Sequence, residues 1–164
     1  NARDLADLIV RAADVAEGRQ VLVWTVFDEE SAIIQGELAS AGVTAAVLDG
    51  SMSEDARTES LARFRSGDVQ ALISKASLLG YGMNLQFCRS MVFSGFDDSF
   101  ERMYQAIRRC YRFGQTETVR VHVPYIPELE GMIFNNIRAK EARFMHDVDQ
   151  QEAEYLKAMQ GRGL

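Results

Sequence analysis

The chain has 164 residues, 47% of them hydrophobic and 26% charged, with 18 Lys and Arg against 24 Asp and Glu. That length suits one domain of about 100 to 200 residues with a real core, and the composition excludes collagen-like, disordered and disulfide-scaffold classes. No run approaches the ~18 apolar residues of a membrane-spanning helix, and Asn1-Ala2-Arg3-Asp4 lacks a signal-peptide start, so a soluble protein with no membrane partner is expected. Cys88 and Cys110 stand apart in sequence with no further Cys or His at metal spacing, which points to a reducing cytoplasm rather than to zinc or disulfides. The absent initiator Met suggests a piece of something longer.

In chain order, a helix is expected over about 2–17, followed by an apolar run at 21–26 that reads as a buried strand. A helix near 29–41 opens with Asp28, Glu29 and Glu30, acids that suit the positive end of a helix dipole. The same acids follow an apolar strand and imitate a magnesium-binding Asp-Glu box; that reading is rejected, because the chain has no phosphate-loop lysine to accompany it. Strand 45–48 leads to Asp49-Gly50-Ser51 and a helix near 53–65, with Ser51 and Glu54 spaced as a capping box. Strands at 71–74, 91–94 and 119–123 follow, with a helix at 99–113 between the last two. Residues 128–160 are expected to form a long helical extension that packs back on the domain. The alternation predicts an α/β fold with a mainly parallel sheet, helices on both faces and a single domain over 1–164. Ligands in such folds gather at the carboxyl ends of the strands.

The acidic total conceals an uneven distribution: residues 1–60 carry four basic and twelve acidic side chains, whereas 101–127 carry five and two. Within the second stretch, a helix through Tyr104–Gln115 would place Gln105, Arg109 and Arg112 within about 60° of one another, with Met103, Ala106, Ile107 and Cys110 facing the core. Gly114 would close it. Forked, permanently charged guanidinium groups suit phosphoryl oxygens, and they equally suit surface ion pairs. After strand 71–74, Ser74 and Lys75 lead into Gly80-Tyr81-Gly82-Met83-Asn84-Leu85, where glycines would let backbone N–H groups approach a phosphate or ribose, or simply make a turn. His122 and His146 lie far from other ligand types and are assigned structural or exposed roles.

Taken in order, the 21–26 strand, Leu48-Asp49-Gly50-Ser51 with Arg57 and Phe64, Gly80-x-Gly82-x-Asn84-Leu85, and Gln105-x-x-x-Arg109-x-x-Arg112-x-Gly114-Gln115 resemble the second RecA-like domain of superfamily-two helicases. Swi/Snf-type DNA translocases and their phage relatives are the nearest branch, and the resemblance covers about residues 20–125. It departs from that branch at Leu78-Leu79-Gly80 and at Phe96-Asp97-Asp98-Ser99. The resemblance implies Arg112 as an arginine finger with Arg109 as its companion, Gln105, Gly82 and Asn84 near ATP, and Thr25, Ser74 and Lys75 near the nucleic-acid backbone. Gln115 favours the DNA-translocase branch. The implied cofactor is ATP with Mg²⁺, the metal being held by an N-terminal RecA-like domain of the same parent chain, and the implied polymer is DNA. This stretch alone is then expected to hydrolyse no ATP. Two other readings stay open: a degenerate RecA-like module that binds nucleic acid or protein without turnover, and an unrelated α/β nucleotide-binding enzyme using the glycine loop.

Overall fold

A computed structural model describes residues 2–15, 20–81, 84–95, 99–112, 114–125, 128, 131–143, 146 and 150. Five strands, β1 (Val21–Thr25), β2 (Ala45–Leu48), β3 (Ala71–Lys75), β4 (Ser90–Phe93) and β5 (Arg120–His122), form one sheet in the order β2-β3-β1-β4-β5. All four ladders are parallel. Helices α1 (Ala2–Val15), α2 (Asp28–Ser40), α3 (Glu54–Ser66) and α4 (Phe100–Ile107) connect or precede them, a 3₁₀ segment follows β3 at Ala76–Tyr81, and a further helix, α5, runs over 131–143.

The unbroken apolar runs are explained by burial on both faces, since successive side chains of a strand point to opposite sides. Val21 and Val23 of β1, Ala71 and Ile73 of β3 and Val92 of β4 pack with Ile9 of α1 and Ile34 and Leu38 of α2. Their sequence neighbours Leu22, Trp24, Leu72, Met91 and Phe93 pack on the other face with Phe64 of α3, Ala106 of α4, and Leu85 and Cys110 from the loops. The expected two-faced layering is thus what forms. The two outer strands differ from the expected fully buried strands: β2 and β5 are half-buried or exposed along most of their length. Each is an edge of the sheet, with a neighbour on one side only.

Local signals place the helix ends. Glu30 accepts hydrogen bonds from Val26 N–H at 3.2 Å and Phe27 N–H at 3.5 Å, which accounts for one acid of α2's first turn. At α3 the expected cap is corrected. Ser53, not Ser51, accepts from Ala56 N–H, at 3.3 Å, because Asp49 has already taken Ser51: its carboxylate accepts from Ser51 N at 2.7 Å, Ser51 Oγ at 2.5 Å and Met52 N at 3.2 Å. Helix α3 stops at Gly67, whose φ of 91° few side chains tolerate.

In α5, Ile137 is 5% exposed and lines a small pocket together with Trp24, Phe93 and Met103, so this part of the extension does pack on the domain. Met132 of the same helix is 79% exposed. It lies five residues from Ile137, on another side of the helix. Phe144, Met145, Val148, Tyr155 and Leu156 lie outside the described residues. Among the described residues no helix is long and apolar enough to cross a membrane.

Candidate functional site

Two regions carry the predicted residues, at opposite ends of the sheet. The first is an open cleft of about 690 Å³ over the carboxyl ends of β1, β2 and β3, lined by Asp28, Asp49, Gly50, Ser51, Lys75 and Ser77 among others. Asp49 builds its rim. The three hydrogen bonds just described, with Arg57 nearby, hold the Asp49 carboxyl below its ordinary pKa, the bonds from Ser51 being the largest cause. Arg57 Nη2 donates to Gly50 O at 3.0 Å from the first turns of α3, so the Asp-Gly-Ser turn is held from both sides.

The three residues expected near nucleic acid stand very differently in this cleft. The Lys75 side chain is 27% exposed, and its ammonium pairs with Asp28 Oδ1 at 2.6 Å. Thr25 and Ser74 are 4% and 1% exposed. Their hydroxyls are committed within the domain: Thr25 and Ser31 share a 2.8 Å hydrogen bond, and Ser74 donates to Leu48 O at 3.3 Å. Adjacent strand ends need these bonds because buried hydroxyls without partners are costly. Of these three, only Lys75 offers a side-chain donor to a ligand in the cleft.

The second region is a turn at the bottom of α4. The expected helix through 113 ends at Ile107 instead. Bonds from Arg109 N to Ala106 O and from Cys110 N to Ile107 O, each 3.1 Å, tighten the chain, and Leu85 N–H takes Arg109 O from another segment at 3.1 Å. Cys110 is thereby drawn fully into the core. The helical-wheel argument therefore holds for the buried face, where Ala106 is also fully buried, and fails for Arg109 and Arg112, which share a turn rather than a helix stripe. Gly114 does adopt a positive φ, 88°, but within the turn beyond the helix.

The position of this turn also corrects the search rule. Residues 84–88 run into the amino end of β4 and residues 114–119 into the amino end of β5, so the arginines sit at the amino-terminal edge of the sheet, not over its carboxyl ends. The end of the glycine segment meets them there. Asn84 is exposed, accepts from Arg65 Nη2 at its carbonyl at 3.2 Å, and turns its own Oδ1 to Gln86 N at 3.3 Å. Gln105 is exposed on α4. Gly82 lies outside the described residues.

Three arginines elsewhere in the domain are engaged: Arg57 on Gly50 O, Arg65 on Asn84 O and over the Phe87 ring, Arg89 with Glu117. Among the described residues, by contrast, the half-buried Arg109 and exposed Arg112 guanidinium groups have neither hydrogen bond nor ion pair. Two unneutralised guanidiniums on one turn form an anion-binding arrangement. Beneath them, Cys88 and Cys110 are buried free thiols that share a hydrogen bond, which with burial pushes the Cys110 thiol far up and keeps it protonated. That contact is invisible in the sequence, as are the Asp28 partner of Lys75 and the Gln86 partner of Gln115.

Comparison with known proteins places the chain in a family. Residues 2–114 match the model of the helicase conserved C-terminal domain. The chain therefore belongs to that family. It is similar to the chromodomain-helicase-DNA-binding protein 1-like of Danio rerio, with 30% identity over 104 residues, covering 63% of this chain and 10% of that protein. Its fold is similar to the C-terminal part of the Fun30 ATPase domain, with a TM-score of 0.74 at 21% identity, covering 82% of this chain and 44% of that one. The chain thus spans a small part of the length of the curated relative it matches.

Proposed function

We propose that this domain is the C-terminal half of an ATP-driven DNA translocase or helicase, and that it completes a nucleotide site whose other wall belongs to an N-terminal RecA-like domain of the same parent chain. The observation that carries this reading is the pair of unpaired guanidiniums of Arg109 and Arg112, held on a turn bonded to the Asn84 segment. Such groups stabilise the charge gathering on a transferring γ-phosphate and cost no reorganisation if already in place. Arg112 is the arginine finger and Arg109 its companion; Asn84 and Gln105, both exposed beside the turn, contact the nucleotide. Because the chain contains no phosphate-loop lysine, the partner domain supplies the phosphate cradle and holds Mg²⁺, which would polarise the phosphoryl oxygens.

The polymer lies in the cleft at the opposite edge, with Lys75 as its side-chain contact. Thr25 and Ser74 act there indirectly, by fixing the strand ends from which Lys75 projects. The segment from Lys75 through Asn84 links the two edges, so closure of the partner domain on ATP is felt at the polymer.

The test is Arg112→Ala in the full-length protein that carries this domain. DNA-stimulated ATP turnover is expected to fall by about 10³-fold or more with DNA affinity within a few-fold. Retained turnover, or equal loss of turnover and of DNA binding, would overturn the assignment. The 164-residue polypeptide alone is expected to hydrolyse no ATP.

A further inference from the structure

We propose that Gln115 is a positioning residue that sets the place of the arginine turn, an inference that rests on the arginine reading above. Bonds from Arg109, Cys110 and Tyr111 N–H to Ala106 O and Ile107 O keep the turn on the end of α4, and Leu85 N to Arg109 O reaches the Asn84 segment, so a second link between the two segments is needed to fix them in register. Gln115 supplies it with one side chain. Its Nε2 donates to Gln86 O at 2.7 Å and to Cys110 O at 3.3 Å, and its Oε1 accepts from Glu117 N at 3.0 Å. Its backbone N–H closes the turn on Arg112 O at 2.9 Å. The half-buried carboxamide thus spends two donors and one acceptor on three backbone groups from both sides of the gap.

The geometry is demanding. One carbonyl belongs to the end of the arginine turn and the other to the segment that carries Asn84, so the carboxamide welds the two nucleotide-facing elements into one piece. The Leu85 to Arg109 backbone bond is one link between the two segments; the Gln115 side chain adds a second, between Cys110 O and Gln86 O. Gly114 brings the amide within reach, and a Cβ there would lie 3.2 Å from Gln86 Nε2. Glutamate at 115 would set one carboxylate oxygen, where Nε2 now stands, against the two carbonyls, asparagine is one methylene too short to reach both, and methionine fills the volume with neither donor. A displacement of reacting groups by about 1 Å can cost on the order of 10²-fold in rate, so loosening this weld should be read in turnover.

The experiment is a double-mutant cycle in the full-length protein with DNA-stimulated ATP hydrolysis as readout. Gln115→Met is expected to lower kcat by about tenfold or more, with the KM for ATP and DNA affinity within about threefold. Added to Arg112→Ala it should lower kcat by less than about twofold, because the side chain it positions is gone. Unchanged kcat in Gln115→Met, or losses that multiply fully with Arg112→Ala, would overturn the proposal. Gln115→Asn, which keeps the amide but not its reach, should reproduce the kcat loss, and failure of both variants to fold would assign Gln115 to stability and likewise overturn it. Wild-type turnover in Arg112→Ala would refute the arginine reading itself, whereas its collapse beside a fully active Gln115→Met would refute only the positioning role.

Discussion

Two glycines provide a matched pair of perturbations, one beside the arginine turn and one remote from it. Gly114 has φ 88° and Gly67 has φ 91°, and a Cβ at either would lie close to a glutamine amide, 3.2 Å from Gln86 Nε2 or 3.3 Å from Gln20 Nε2. An L side chain in the left-handed region costs roughly 1–2 kcal/mol, and the reduced freedom of the unfolded chain returns about 0.4–1 kcal/mol. With the flexible amide ends yielding by a few tenths of an ångström, Gly114→Ala and Gly67→Ala should each cost about 1 kcal/mol. For a domain of this size that is about 2–4 °C in Tm, the same for both variants. Their effects on turnover should diverge. Gly67 closes α3 and bears on Gln20 at the start of β1, whereas Gly114 lies between Arg112 and Gln115, so relieving an alanine's strain there moves the backbone of the arginine turn. Thermal unfolding of both variants, beside DNA-stimulated ATP hydrolysis by the full-length protein, separates stability from positioning. If Gly67→Ala loses as much turnover as Gly114→Ala, or if Gly114→Ala turns over like wild type, the argument that the turn is held to tolerances below an ångström is wrong.

Lys75→Ala should weaken DNA binding and reduce the slope of log affinity against log salt by about 0.9, the share of one phosphate contact; an unchanged slope removes Lys75 from the interface. Asp49 has a folded pKa below its unfolded value of about 3.9, so the stability it contributes is fully present above that pH and is lost as the pH falls through the lower, folded value. Urea unfolding should therefore show Asp49→Asn less stable than wild type by a constant amount above about pH 5, with the gap closing below pH 4; a gap that persists into strong acid would contradict this.

Much of the fold was legible because its signals are local. Apolar runs of strand length and first-turn acids at Asp28 to Glu30 depend on neighbours a few residues away, and burial of alternate side chains on two faces explains why those runs are unbroken. Where local rules competed, the nearer and stronger partner won: the Asp49 carboxylate took Ser51 and left Ser53 to cap α3. The motif residues Arg109 and Arg112 could be singled out by type and spacing, but not their setting. The helix that carries them ends when Cys110 enters the core and Leu85 claims the Arg109 carbonyl, and both events join segments more than twenty residues apart in the chain.

The amino-acid order by itself determined where the strands and most of the helices lie, and it held the family's motifs in recognisable sequence, since both are properties of short stretches. Tertiary structure alone decided that the arginines and the lysine lie at opposite edges of the sheet, that the Thr25 and Ser74 hydroxyls face inward, and that Gln115 ties the turn to Gln86. The reason is that strand order and the direction in which α4 returns bring remote segments into contact, and hydrogen-bond partners of that kind have no fixed spacing in the chain.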